Sequence, residues 1–478
     1  MTKITINETV SRHKAFDPFL IAAVFLGVSL YLFSFLPFFY AGNARLIGAA
    51  LVGIALTVIW PEFALVILGG SVGHSEFLLS PLKIPYSGFF FMAFAIILSA
   101  GAGFILMRRG FYRFFWRKWN WPLVFILVMV TWIVLYMAVD YVWIAKSMIL
   151  NYYLIAGVFS GLILWYLVFS QSADVFRSGK SLLWATVVVN IGGLILNVFV
   201  TTGSLIPLFD PYSSFWTIGE TSQRLSFGGF NENTIGVEFL ASPAVAAFAL
   251  LFSAKIRAAL KAVLIGIISA LGILISATGT RQAILGVGIS LIIIILLAKP
   301  GQMRRAAIGI AFGLVFALFI ISVLGEQFNI SGFKQVAGLL SPGRLLAETT
   351  VSARFIYASR DIESFLQKPL IGQGLGFGAV HNLLDNPTSH NILTSIAAEI
   401  GIVPLLATMA FLWAVFRSIW HIFRLRHLSS EQSVVFQGLS GLFVLNLIAL
   451  MISGRMSTYW FFGYGTGLCF LAEKLKKK

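Results

Sequence analysis

The stretch AVLIGIISALGILISATGTRQAILGVGISLIIIILLA, residues 262–298, decides the fold. Two apolar runs, Ala262 to Ala277 and Ala283 to Ala298, flank a short polar break, Thr278-Gly279-Thr280-Arg281-Gln282. Each run is long enough, or nearly so, to cross about 30 Å of hydrocarbon as a helix rising about 1.5 Å per residue. Lipid offers the backbone no hydrogen-bond partners, so such a run must satisfy its peptide groups within a helix. The spacing therefore predicts a transmembrane hairpin with Arg281 at its tip.

Working outward, similar runs recur at Phe19 to Leu36, Ser87 to Met107, Pro122 to Val139 and Leu182 to Val200. The composition agrees: 59% of residues are hydrophobic, 11% are charged, 45 are Phe, and mean hydropathy is +0.92. These values lie far from those of soluble domains. No ten-residue alternating pattern points to a β-barrel. The run from Pro18 lacks a convincing small-residue cleavage site after it and reads as a retained first span. The single cysteine, Cys469, excludes an intramolecular disulfide and a multi-cysteine metal site.

A net charge of +16 could indicate nucleic acid, but the cations are confined to particular loops. They cluster at Arg108 to Lys118, Lys255 to Lys261, Lys299 to Arg305, Arg417 to Arg426 and Lys474 to Lys478. Under the positive-inside rule these loops are cytoplasmic, so the basic balance reports orientation and argues against nucleic-acid binding. Alternating basic and basic-poor loops gives an all-α polytopic membrane helix bundle of about 12 to 14 transmembrane helices with both termini cytoplasmic. Spans are expected to start near residues 18, 45, 62, 86, 121, 149, 181, 233, 259, 282, 306, 390, 433 and 458. Residues 1–478 form one integral membrane domain, with no internal repeat.

Two extracytoplasmic loops exceed the length of simple connections, 203–232 and 325–389. Within the second, Ser352 to Gln367 reads as an amphipathic helix, with Phe355, Ala358, Ile362 and Phe365 on one stripe. The glycine-rich Gly372 to Gly378 follows; without a preceding strand or a Walker lysine, it reads as a turn or packing element before a phosphate cradle.

Ionisable residues at a membrane are costly unless paired, hydrated or used. Arg281 lies where the positive-inside rule gives no reason for a cation; the bland alternative is interfacial snorkelling. Arg224 precedes a span on the same face, and its bland alternative is a salt bridge to Glu220 or Glu232. Guanidinium forks match phosphate oxygens, and helix N-termini favour the same anion, so two such arginines suit a diphosphate. His390 opens an outer-leaflet helix in Thr388-Ser389-His390-Asn391, where a neutral imidazole can act as a base; His381 is the alternative, and a structural role is open to both. Asn391, Asn231, Asn233, Glu399 and Arg360 are supporting candidates. No metal-ligand spacing is apparent, so neither metal nor cofactor is expected.

Activated nucleotides are cytoplasmic, so a transferase facing outward needs a donor that has crossed the membrane, and a lipid-linked diphosphate fits. The residues also resemble a family. Phe365-Leu366-Gln367-Lys368-Pro369-Leu370-Ile371-Gly372-Gln373-Gly374-Leu375-Gly376, then Ser389-His390-Asn391-Ile392-Leu393 and Glu399-Ile400-Gly401, resemble the signature of the O-antigen ligase and polymerase superfamily. Thr278 to Arg281 resembles that family's Thr-Gly-Ser-Arg element, and Arg224 to Asn233 resembles its Arg-x-x-Gly-x-Phe-x-Asn-Pro-Asn element, with Glu232 in place of proline. The resemblance covers roughly residues 220 to 415.

It implies a GT-C membrane glycosyltransferase of the bacterial inner membrane that moves a glycan from undecaprenyl diphosphate to an acceptor hydroxyl at the periplasmic face. Arg224 and Arg281 would then hold the diphosphate, His390 would activate the acceptor, and the product would be inverted. The expected partners are the lipid-linked donor, a glycan or lipid acceptor and membrane lipids; a chain-length regulator belongs to the polymerase reading. Polymerase and ligase differ only in acceptor; the span count favours the polymerase. The competing class is a multi-span transporter or lipid-linked oligosaccharide flippase, which would place charged or helix-breaking residues near the midplane. Only Glu238 and Glu399 sit several residues into expected spans.

Overall fold

The computed structural model describes residues 120–139, 165–170, 174–202, 216–218, 225–227, 235–278, 280–298, 349–374, 391–425, 428–453 and 458–476, with isolated positions before 173. Among them the α-helices are α1 (Trp121–Val139), α2 (Val175–Thr202), α3 (Ser242–Leu251), α4 (Ala258–Thr278), α5 (Arg281–Leu296), α6 (Thr349–Gln367), α7 (Ile392–Ile400), α8 (Ile402–Arg424), α9 (Ser430–Ser453) and α10 (Thr458–Lys476). A π-helical segment, Ile235–Ala241, runs directly into α3. The only extended pair among the described residues is a short antiparallel ribbon of β1 (Trp216–Ile218) and β2 (Leu225–Phe227) within the 203–232 loop.

Among the described residues, four stretches are long and apolar enough to cross a membrane: Val175–Ile195, Ala258–Ser276, Ile402–Arg424 and Ser430–Ile452. The polytopic helical bundle expected from composition is therefore what the chain forms. The hairpin of 262–298 is present as α4 and α5, separated at Thr278 to Arg281. Described helices begin within about six residues of the expected starts near 121, 181, 233, 259, 282, 433 and 458. The expected starts near 18, 45, 62, 86, 149 and 306 fall outside the described stretches.

Helix starts follow local chemistry. Asn120 caps α1, its side-chain oxygen accepting from the Leu123 amide at 3.0 Å, with Pro122 in the first turn. Asp174 does the same for α2, accepting from Phe176 N at 3.0 Å, a carboxylate at the positive end of the helix dipole.

Helix α9 is the hub, packed against α2, α3, α5 and α10. Lipid tails are as apolar as leucine, so helix association in a membrane depends on close fit, which small residues permit. Gly438 of α9 lies against Leu183 and Ala249, Gly441 against Ile294 and Val245, and Gly286 of α5 against Leu445. Along α10, Gly463 and Gly467 meet Trp165 and Phe169, while Gly465 meets Phe411. Beside this stripe, Phe411 stacks on Phe462 with centroids 5.0 Å apart, and Phe125 stacks on the same ring at 5.2 Å. Each such pair adds about 0.5–1.5 kcal/mol beyond area burial.

Among the described residues, the cation-bearing helix ends at Lys180, Lys255, Arg424 and Lys476 lie at one end of the bundle. There Lys180 of α2 pairs with Glu431 of α9, whose other oxygen accepts from Ser253 Oγ at 2.7 Å and from the Lys255 amide at 3.3 Å. This basic end holds the starts of α1, α2, α4 and α9 and the ends of α8 and α10, because α9 runs antiparallel to α10 and α5. Gln437 Nε2 of α9 reaching the Leu297 carbonyl at 3.3 Å fixes that antiparallel register with α5.

One expected span is divided. The helix predicted to start near 390 breaks after Ile400, where Gly401 takes φ +86° and its amide donates to the Ile396 and Ala397 carbonyls, both at 3.1 Å. With ψ at −171° this is the extended positive-φ conformation that essentially only glycine adopts. The spanning helix is then α8, from Ile402, with Pro404 in its first turn. Glu399 consequently lies in the last turn of the short helix α7, before the spanning helix begins.

Candidate functional site

At the end opposite the basic loops, the hairpin tip is a buried polar turn. Thr278 and Thr280 are fully buried, and Thr278 Oγ1 donates to the Ile275 carbonyl at 2.7 Å. The Thr280 carbonyl accepts from Ala283 N at 3.0 Å and Ile284 N at 3.1 Å, so it serves as the N-cap residue of α5. Arg281 is thereby the first residue of a 16-residue helix, with the positive end of its dipole at the tip. Its backbone is described and its side chain is not.

The second motif comes to the same place through its flanks. Arg224, Asn231 and Asn233 lie outside the described residues, but β2 directly follows Arg224 and packs beside α4. The π-helical segment begins two residues after Asn233 and packs on α4 and α5. Its Gly236 touches the hairpin tip: a Cβ there would lie 2.8 Å from Thr280 Cβ and Oγ1. Only glycine fits that approach without displacing Thr280.

The third motif begins at α7. His390 and His381 lie outside the described residues; Asn391, the next residue after His390, caps α7, its side chain accepting from Leu393 N at 2.9 Å and Thr394 N at 3.4 Å. Thr394 Oγ1 donates to Asp361 Oδ2 of α6 at 2.9 Å, tying the amphipathic helix to α7.

The helix expected over Ser352 to Gln367 spans Thr349–Gln367. Its anticipated apolar stripe is split, with Ala358 and Phe365 half-buried and Ile362 50% exposed beside Leu366 at 68%. At a membrane surface such apolar positions have lipid to face, so protein burial alone does not report their environment. Arg360 is exposed on this helix.

The glycine-rich segment resolves as packing for the part described. Gln373 N donates to the Ala398 carbonyl at 2.7 Å and Gly374 N to the Glu399 carbonyl at 2.9 Å, while Ile402 N donates to Pro369 O at 2.8 Å. These main-chain donors are committed to α7 and the start of α8, which removes them from any phosphate cradle. Gly372, at φ +72°, runs so close that a Cβ would lie 2.4 Å from the Glu399 carbonyl; at Gly401 a Cβ would lie 2.3 Å from the Leu370 oxygen. Sequence reading missed the partner that anchors this clasp from outside, Trp132 Nε1, which donates to the Ile400 carbonyl at 2.7 Å. Nothing in the local sequence around Trp132 marks it, since its partner is 268 residues away.

Register along α9 relates the hairpin to α7. Gly286 faces Leu445, and Arg281 lies five residues, about 7–8 Å, further from the basic end, level with about Leu450. Ile392 and Leu393, in the first turn of α7, share a small apolar void with Leu447 and Leu450. The backbone at Arg281 and at Asn391 therefore reaches the same depth of the bundle, on one helix, at the end away from the basic loops. Two helix N-termini, the α5 start and the Asn391-capped α7, are at that level.

No curated protein matches the chain. Residues 265–409 match the model of a family described as O-antigen ligase, a stretch that runs from α4 through the hairpin tip and α6 to α8. Over those residues the chain is similar to the O-antigen ligase family, which lies within the superfamily its motifs resemble.

Proposed function

We propose that this protein is a metal-independent, inverting glycosyltransferase of the bacterial inner membrane that takes a glycan from undecaprenyl diphosphate on the extracytoplasmic face. The observation that carries this reading is the common depth of Arg281 and Asn391 along α9, at the end opposite the cation-rich loops. That end is extracytoplasmic if the basic end obeys the positive-inside rule.

In the proposed reaction, His390 accepts the proton of the acceptor hydroxyl as its oxygen attacks the anomeric carbon. The bond from that carbon to the diphosphate oxygen breaks, and undecaprenyl diphosphate departs with the electron pair. Arg281 and Arg224 stabilise the departing charge with paired hydrogen bonds, helped by the N-terminal dipole of α5. Asn391, which directly follows His390 in sequence, fixes the first turn of α7. Asn231, Asn233, Glu399 and Arg360 are proposed to support acceptor and sugar binding.

The test is incubation of the purified protein with undecaprenyl-diphosphate oligosaccharide, alone and with a lipid acceptor. A ladder of longer glycans without added acceptor identifies a polymerase, the form favoured by the span count; a single transfer that needs the acceptor identifies a ligase. Movement of the donor across vesicles with no transfer product would replace this reading with a flippase.

A further inference from the structure

At the basic end, α1, α8 and α10 line an open cavity of about 320 Å³ that takes no part in the transfer site. Arg417 and His421 of α8 and Lys476 of α10 line it, against one acidic side chain, Glu473. The first turn of α1 opens on the same space, adding the partial positive charge of a helix N-terminus. His421 Nε2 is closed to solvent and has no hydrogen-bond partner among the described residues. With Arg417 and Lys476 against Glu473, the cavity presents a net positive charge to an anion from outside the chain.

The surroundings specify what kind of anion fits. Arg417 sits over the Trp413 ring at 5.1 Å and Arg424 over Trp420 at 4.7 Å, so both guanidiniums are braced at the level where tryptophan marks a membrane interface. Arg417 is seven residues, about 10 Å, short of the helix end at Arg424, near the hydrocarbon boundary of this leaflet. From Trp413 an exposed apolar stripe continues along α8 into the span through Met409 and Leu406, each about half exposed or more. A soluble phosphate would use the cations and leave this stripe idle, whereas a phospholipid uses both, its phosphate among the cations and its acyl chains along α8.

We propose that this cavity binds the phosphate of an anionic phospholipid from the leaflet at the basic end. The site is independent of the transfer reaction and stands or falls without it. Native mass spectrometry of the full chain released from vesicles of phosphatidylglycerol and phosphatidylcholine tests it, with free glycerol phosphate as competitor. The wild type retains phosphatidylglycerol in preference to phosphatidylcholine, and glycerol phosphate does not displace it. Arg417→Gln with His421→Gln weakens retention about tenfold, the scale of one lost charge-assisted contact. Lys476→Gln, at an exposed position that leaves the helices intact, weakens it by a smaller factor, and Arg257→Gln, an exposed cation outside the cavity, leaves it unchanged. Equal retention of both lipids, undiminished retention in Lys476→Gln, or displacement by glycerol phosphate would each overturn the proposal.

Discussion

At the basic end Glu431 gathers Lys180, Ser253 and the Lys255 amide through its side chain, whereas at the opposite end Gly236, Gly372 and Gly401 set the backbone by contact and main-chain hydrogen bonds. A side-chain network with several partners tolerates the loss of one, because the remainder and water can repair it. A glycine pressed against a carbonyl has no such slack, since protein interiors transmit strain. Substitutions at the basic end are therefore expected to leave the geometry of the motif end intact, whereas those at the motif glycines disturb it.

The largest effect belongs to the chemistry. His390→Ala and Arg281→Ala each reduce transfer from undecaprenyl-diphosphate glycan by about a hundredfold or more, with helical circular dichroism and Tm at wild-type values. A variant that lost both activity and Tm would move that residue from catalysis to folding.

Next come Gly401→Ala and Gly372→Ala. The positive φ alone costs about 1–3 kcal/mol for a residue with a Cβ. The close approach to Leu370 or Glu399 adds to it, so thermal unfolding shifts downward and transfer falls by about ten- to a hundredfold as α7 is displaced. Gly236→Ala sharpens the comparison, because the atoms nearest its Cβ all belong to the Thr280 side chain. Transfer is expected to fall about tenfold through a shifted hairpin tip, with little change in Tm.

The smallest effect on activity lies at the basic end. Glu431→Gln keeps the shape but weakens the hydrogen bonds to a cation, lowering stability by about 1–3 kcal/mol in chemical unfolding while transfer per folded molecule stays constant. Loss of transfer in this variant at full folding would erase the distinction between the two ends.

How much of this was legible beforehand follows from the range of each interaction. The α4–α5 hairpin was readable because apolar length and a Thr-Gly-Thr-Arg break are local, and α6 because its period is local. The break at Gly401 was not, since a glycine inside an apolar run is ambiguous until its φ is known; Pro404 three residues later was the available signal. The three motifs could be read as sharing one face from loop charges. Their common depth depends on α9, which bears no motif and acts through Gly438, Gly441 and Leu445, residues whose partners are remote in sequence. The Lys180–Glu431 pair and the Gly463 to Gly467 stripe were illegible for the same reason.

The central claim, that the hairpin tip and the segment entering α7 face one extracytoplasmic crevice, is tested most directly by cross-linking. In a Cys469→Ser background, cysteines replacing Arg281 and His390 are treated in intact cells with a membrane-impermeant bifunctional thiol reagent. A cross-link between them, blocked by prior binding of undecaprenyl-diphosphate glycan, is the expected result. Labelling of the two positions from opposite sides of the membrane would contradict the account.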